Sequence, residues 1–197
     1  MKLACFLLAL AVGAEATTCG LGTGTTCSCH DKDKKLACEP CGSDNKIIVT
    51  TMVSEQNGRN VDDNGGVDLS KPLVMHATVT NKYGKEAKKL LADVNVYLCT
   101  GFLFGCGFIK PPLPKGILSN LDPCSLSSGI RLKDCHFAGN PNFDTMELTV
   151  DLRNNTYIGP LIPTIKRLSG GSRTKLAITL HDEETQLTCI EVYSILL

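Results

Sequence analysis

Two pairs of cysteines near the N-terminus are the residues of this chain best suited to chemistry. Cys27-Ser28-Cys29-His30 precedes Cys38-Glu39-Pro40-Cys41, and the set has the ligand types and pair spacing of a tetrahedral zinc site. The alternative is that these cysteines form disulfides, as they would in an oxidising compartment. The choice depends on whether the chain is exported.

The first sixteen residues have the features of a secretory signal peptide. Met1-Lys2 supplies a positive start, residues 3–12 are apolar, and Ala14-Glu15-Ala16 is a small-x-small cleavage site. A transmembrane anchor is the alternative, but the apolar run is shorter than the roughly 20 residues that cross a bilayer. We therefore predict a signal peptide at residues 1–16 and a protein that is secreted or resides in the lysosomal lumen.

Export favours disulfides over zinc, so we predict no metal site. Cys5 leaves with the signal peptide, and the remaining ten of the eleven cysteines are an even set that can pair completely. Residues 17–40 are rich in Cys, Gly and Thr but poor in large apolar side chains. We predict that they form a Cys-rich N-terminal extension, which disulfides order because it cannot make a core of its own.

Other candidate chemistry is sparse. The chain has no Gly-x-Ser-x-Gly motif, its histidines are scattered, and Glu183-Glu184 are adjacent on a predicted turn with side chains that point apart. Lys plus Arg equals Asp plus Glu at 20 each, which leaves no basic excess for nucleic acid. We predict that the protein is not an enzyme, has no cofactor and binds no nucleic acid.

Asn154-Asn155-Thr156 is a sequon for N-linked glycosylation beside the end of a predicted strand. An unused sequon is the alternative interpretation. Because the chain carries an export signal, we predict that Asn154 is glycosylated.

The elements that must position these residues are β-strands. Apolar and polar residues alternate in several segments separated by turn-forming Gly, Asn and Pro, and helical periodicity is weak and confined to residues 85–92. This pattern predicts an all-β fold, an antiparallel sandwich or cup whose apolar faces meet. The strand residues predicted to share these faces are Ile47, Val49, Thr51 and Val53; Leu73, Met75, Ala77 and Val79; Val94, Val96 and Leu98; Met146, Leu148, Val150 and Leu152; Leu176, Ile178 and Leu180; and Ile190 and Val192.

Two apolar segments, residues 101–114 and 157–163, break the alternation and contain the Pro and Gly of loops. Buried strands are one interpretation of such runs. Proline disfavours central strands, however, and apolar loops on a soluble protein usually mark a binding surface. We therefore predict that both segments are binding loops.

Four cysteine-centred pieces occur in a distinctive order. They are Cys41-Gly42-Ser43-Asp44 before a strand, the Cys-x6-Cys loop from Cys99 to Cys106, Cys124 with Cys135-His136-Phe137, and Leu187-Thr188-Cys189-Ile190 in the last strand. In this order and spacing, residues 41–197 resemble the ganglioside GM2 activator family of the MD-2-related lipid-recognition superfamily. The resemblance implies the bridges Cys41–Cys189, Cys99–Cys106 and Cys124–Cys135. It leaves Cys19, Cys27, Cys29 and Cys38 to pair among themselves.

The chain departs from the family pattern at one further bridge, both of whose cysteines are absent. This chain has Ile109 to Pro112 near one of those positions and Phe137 at the other. The simultaneous loss of both partners is consistent with the alignment.

The resemblance implies a disulfide-stapled β-cup with an apolar internal cavity. Such a protein extracts a glycolipid, sphingolipid or phospholipid from a membrane, which it contacts peripherally, and presents it to a partner such as a lysosomal glycosidase. Lys166, Arg167 and Arg173 would face anionic headgroups. The alternative function is a secreted interaction or signalling module in which residues 17–40 bind a protein receptor. The residues predicted to contact the lipid or the membrane are Phe102, Leu103, Phe104, Phe108, Ile109, Ile158, Leu161 and Ile162.

Overall fold

The computed structural model describes residues 36–42, 44–61, 66–102, 105–110, 118–125, 129–169 and 173–197. The predicted signal peptide and most of the predicted N-terminal extension, with Cys19, Cys27 and Cys29, lie outside these residues. The described strands are β1 (Leu36–Pro40), β2 (Ile47–Gln56), β3 (Arg59–Asn60), β4 (Leu73–Asn81), β5 (Leu90–Phe102), β6 (Gly105–Ile109), β7 (Ile130–Leu132), β8 (Thr145–Val150), β9 (Arg173–Asp182) and β10 (Thr185–Ile195). The helix α1 spans Ile162–Ser169, and short 3-10 helices span Phe137–Gly139, Leu152–Asn154 and Gly159–Leu161.

The strands form two antiparallel sheets that share one core. Their orders are β1-β10-β9-β5-β6 in the first sheet and β3-β2-β4-β8-β7 in the second. Val67, which precedes β4, pairs with Leu196, which follows β10, and so joins the sheets at one end. Gly66 permits this contact, because a Cβ at its position would lie 2.3 Å from the backbone oxygen of Ile195. The predicted all-β, disulfide-stapled fold is confirmed.

The predicted alternation defines the core of the sandwich. In β4 the residues Leu73, Met75, Ala77 and Val79 are buried, and those between them are exposed or half-buried. The residues of β8 follow the same rule. The inward-facing residues of β5, β9 and β10 join them in a single hydrophobic core. The described residues do not show an open apolar cavity between the sheets, so the cavity stays a prediction.

A bulge in β2 changes which of its residues face the core. The register of β2 against β4 shifts between Val49 and Thr51, and an inserted residue reverses which side chains face inward. Beyond the bulge Met52 is buried, whereas Thr51 and Val53 are exposed. The prediction that Thr51 and Val53 share the inner face of Val49 was therefore wrong.

The first apolar segment forms a hairpin where a loop was predicted. β5 extends to Phe102, which pairs with Gly105 at the start of β6. Phe108 and Ile109 thus lie in a strand. β6 is at the edge of its sheet, where glycine and a following proline are tolerated.

The second apolar segment is mostly helical. Gly159–Leu161 is a 3-10 helix that leads directly into α1. Pro163 lies in the first turn of α1, where a backbone N–H would have no partner within the helix. Residues 85–92, which had weak helical periodicity, contain no helix and enter β5 instead.

Two of the three implied bridges are present among the described residues. Cys41–Cys189 and Cys124–Cys135 have Cα atoms 5.0 and 6.0 Å apart. The register sets Cys99 opposite Phe108 and Cys106 opposite Gly101. Their side chains lie outside the described part of the chain, so a bond between them stays a prediction.

The last residues of the predicted extension belong to the first sheet. β1 pairs with β10 from Leu36 opposite Ser194 to Pro40 opposite Ile190. The Tyr193 hydroxyl lies within hydrogen-bonding distance of Glu39 on β1 and of Glu191 Oε2, the latter at 2.6 Å. Residues 36–40 are therefore part of the folded domain.

Candidate functional site

Antiparallel pairing brings both apolar segments to one end of the sandwich. β5 reaches Phe102 just beyond the start of β9, and β8 ends at Val150 opposite the start of β4. The Val67–Leu196 bridge joins the two sheets at this end. We call it the loop end, and its described residues are 57–61, 66–72, 151–169 and the adjoining ends of β5 and β6.

Buried Asn155 holds the second segment in shape. Its side-chain Oδ1 accepts the backbone N–H groups of Tyr157 and Ile158, both at 3.0 Å. Its carbonyl oxygen accepts the N–H of Gly159 at 2.9 Å. Gly159 lies so close to Arg153 that a Cβ would be 2.6 Å from the Arg153 carbonyl oxygen. These contacts define the shape of the turn, a role for Asn155 that its place in the sequon does not indicate.

The second segment has an inner and an outer side. Ile158 and Ile162 are 3% and 4% exposed and belong to the core. The prediction that they dip into a membrane is therefore corrected, because the two consecutive helices turn these side chains inward. Leu161 is 38% exposed and Tyr157 is 64% exposed. With exposed Pro160 they form an outward apolar surface, which we call the apolar tip.

The predicted hairpin residues lie differently. Phe108 is half-buried on the outer face of the first sheet, where its ring meets Tyr193 edge-on with 5.6 Å between centroids. Lys175 Nζ lies 5.7 Å from the centre of the Phe108 ring. The Phe108 side chain therefore packs against neighbouring side chains on the outer face of the first sheet. The side chains of Phe102, Leu103, Phe104 and Ile109 lie outside the described residues.

An ion pair fastens α1 to the chain before β4. Lys166 Nζ lies 2.7 Å from Asp68 Oδ1, which also accepts the Ser70 hydroxyl at 2.7 Å. Burial alone would raise the pKa of Asp68, but hydrogen bonds from Lys166 and Ser70 outweigh it and hold the pKa well below its usual range. The charge of Lys166 is therefore engaged inside the protein. Of the cations predicted to meet headgroups, Arg167 is exposed, and the side chain of Arg173 is not described.

The sequon lies at the same end. Asn154 is exposed, and its Nδ2 donates to Asp151 Oδ2 at 3.0 Å. Arg153 donates to the same carboxylate through Nε at 2.8 Å and Nη2 at 2.7 Å. The Arg153 hydrogen bonds are the main cause of the lowered pKa of Asp151. Asn154 is thus open to solvent on a well-ordered turn.

No protein-family model matches the chain, and no curated protein is significantly similar to it. Within the described residues, no helix is both long and apolar enough to span a bilayer. The disulfides are compatible with an extracellular or lysosomal location. Fold and site together define a disulfide-bridged, two-sheet β-protein with an apolar, partly basic end.

Proposed function

We propose that the protein is a lipid carrier that extracts a glycolipid, sphingolipid or phospholipid from a membrane and presents it to a partner. The observation that carries the proposal is that the apolar tip, exposed Arg167 and the β5–β6 hairpin lie at the same end of an apolar sandwich. Apolar and cationic groups side by side suit the surface of an anionic bilayer.

The inner face of β5 supports entry of a lipid at this end. Ala92 and Val94 are 0% and 5% exposed, whereas Val96 and Leu98, nearer the loop end, are only half-buried. Coverage of the interior therefore decreases toward the loop end. Each acyl CH₂ that enters such an interior contributes roughly 0.8 kcal/mol, so one chain offsets much of the free energy of leaving a bilayer.

The cysteine pattern gives independent support. Cys41–Cys189 and Cys124–Cys135 are bridges that the resemblance to the GM2 activator family implies. The remaining features of the proposal are residence outside the cell or in the lysosome, a glycan on Asn154, and presentation to a glycosidase. Chemistry on the lipid belongs to the partner, and this protein supplies solubilisation.

Native mass spectrometry of the full disulfide-bonded protein, incubated with vesicles of phosphatidylcholine and a ganglioside, tests the proposal. We expect a complex carrying one lipid molecule, and weaker lipid uptake by Leu161→Ser. Val53→Ser, compared with Leu161→Ser in the uptake of phosphatidylcholine alone, is the matched control, because Val53 is also an exposed apolar residue, at 45%, but lies on the outer face of the second sheet. Failure to take up either lipid would contradict the proposal.

A further inference from the structure

The outer face of the second sheet carries a groove that the lipid proposal does not use. Its volume is about 490 Å³, within the range of sites that bind small molecules. We infer that this groove binds a neutral oligosaccharide. We name it the outer groove. The residues that carry the argument are Thr51, Thr78, Thr145, His76, Glu147 and Phe143.

The groove owes its form to the β2 bulge and to the connection before β8. The bulge turns Thr51 outward, so that its side chain joins those of β4 on the outer face. On the other side Phe143 packs on Phe137, with 5.1 Å between ring centroids. Half-buried Phe143 thereby supplies a fixed apolar wall. Apolar C–H faces of sugar rings stack on such walls.

The floor of the groove presents hydroxyl-matching groups. Thr51, Thr78 and Thr145 are exposed on three neighbouring strands. Glu147 lies between two cationic or polar groups, with its Oε2 2.8 Å from Lys133 Nζ and 3.6 Å from His76 Nδ1. Hydroxyls both donate and accept, and carboxylates accept from two directions. A ligand with several hydroxyl groups can satisfy this set.

The charges favour a neutral ligand over an anionic one. Lys133 is paired with Glu147, and the carboxylate of neighbouring Asp134 accepts the N–H of His136 at 2.9 Å. Lysine and carboxylates therefore leave no excess of positive charge in the groove. A phosphate or a sulfated ligand would have to compete with Glu147 for the Lys133 ammonium group.

The outer groove and the loop end are separate. Thr78 lies near the end of β4 and Thr145 begins β8, so both are at the end of the sandwich opposite the apolar tip. Their side chains face away from the core. Binding of a saccharide here therefore requires no opening of the interior.

Titration of the ¹⁵N-labelled full chain with lactose, maltotriose and chitotriose, followed by NMR, tests the inference. We expect at least one saccharide to shift the amides of Thr78, Thr145 and Glu147. Glu147→Gln should weaken that binding about tenfold, because a neutral amide oxygen replaces a charged acceptor in the hydrogen bond. Thr78→Val should weaken it severalfold. Thr80→Val is the matched control, since Thr80 is exposed on the same face of β4 but lies outside the groove.

Several outcomes would overturn the inference. One is that none of the saccharides shifts these amides; another is that inorganic phosphate shifts them and the saccharides do not. Equal losses in Thr78→Val and Thr80→Val would also contradict a site in the groove. Lipid uptake should be unchanged in Glu147→Gln. If this variant lost both lipid uptake and saccharide binding, the two sites would not be separate.

Discussion

Among individual residues, buried Asp182 accepts hydrogen bonds from three donors on a segment distant in the chain. Its Oδ1 accepts the N–H groups of Lys88 and Lys89 at 2.8 and 2.9 Å, and its Oδ2 accepts the Tyr83 hydroxyl at 2.7 Å. Burial alone would raise the pKa of Asp182, but these hydrogen bonds outweigh it and lower the pKa. Burial and the bond to Asp182 raise the pKa of Tyr83 to about 12. The carboxylate therefore ties the connection before β5 to the end of β9.

Removing this carboxylate should destabilise the protein strongly. We expect Asp182→Ala to lower the free energy of unfolding by about 3 kcal/mol, since three donors lose a charged, buried acceptor, and Tyr83→Phe to lower it by about 1 kcal/mol. Urea denaturation with the disulfides intact measures both. Glu184→Ala, an exposed change in the adjacent turn, should stay within about 0.5 kcal/mol. Similar losses in Asp182→Ala and Glu184→Ala would contradict this role.

The same pair sets the pH dependence. A lowered folded-state pKa means that Asp182 stabilises the protein above its unfolded pKa of about 3.9, and that this stability is lost as the pH falls toward the folded pKa. For Tyr83 the stability is present below pH 10 and is lost as the pH rises toward about 12. Tyr83→Phe should therefore lose less stability than the native protein between pH 10 and 12. If the free energy of unfolding fell equally with pH in Tyr83→Phe and in the native protein, the role assigned to Tyr83 would be contradicted.

At the scale of elements, the connection 151–169 has two sides with different roles. Its inner side supplies Ile158 and Ile162 to the core, and its outer side forms the apolar tip. Asn155 and the Lys166–Asp68 ion pair fix which side faces which way. Core packing and the proposed membrane contact can therefore be tested separately within one segment.

Substitutions on the two sides should behave oppositely. Tyr157→Ser with Leu161→Ser should reduce binding to anionic vesicles severalfold and change the free energy of unfolding by less than about 1 kcal/mol, because these side chains are exposed. Ile158→Ser should lower that free energy by about 3 kcal/mol through loss of core packing. Vesicle co-sedimentation and urea denaturation distinguish the two. Unchanged vesicle binding in the double variant would contradict the proposal that the apolar tip contacts the membrane.

Across the molecule, the described disulfides join one pair of cysteines distant in the chain and one pair close together. Cys38 is 1% exposed and disulfide-bonded. Its partner is none of the four cysteines in the described bridges, because Cys41 is bonded to Cys189 and Cys124 to Cys135. β1 is separated from β5 by β10 and β9, about 14 Å at the usual strand spacing, which is too far for a bond to Cys99. Cys106, on β6, lies one strand farther from β1.

Peptide mapping without reduction should therefore join Cys38 to a cysteine of residues 17–35, and should also give Cys99–Cys106. A peptide linking Cys38 to Cys99 or Cys106 would contradict the strand order.

Replacing both Cys41 and Cys189 with Ala should lower the free energy of unfolding by roughly 3–5 kcal/mol, because their bridge spans 148 residues and restricts the unfolded chain. The matched control is joint replacement of Cys124 and Cys135, whose separation of 11 residues should give a smaller loss.

Alternation in the sequence was enough to predict core strands and their inward faces, as in β4, β8 and β9, because a half-buried strand repeats its apolar side chains every two residues. The cysteine order likewise led to Cys41–Cys189 and Cys124–Cys135 through the family resemblance. Tertiary structure decided the rest. The bulge after Val49, the pairing of β6 with β5 and the inward turn of Ile158 depend on partner strands distant in the chain. Period-two alternation carries no information about such register shifts, and an apolar residue in a loop has the same sequence signature whether it faces the core or the solvent. The outer groove was likewise invisible in the sequence, since its threonines come from three strands that only the sheet brings side by side.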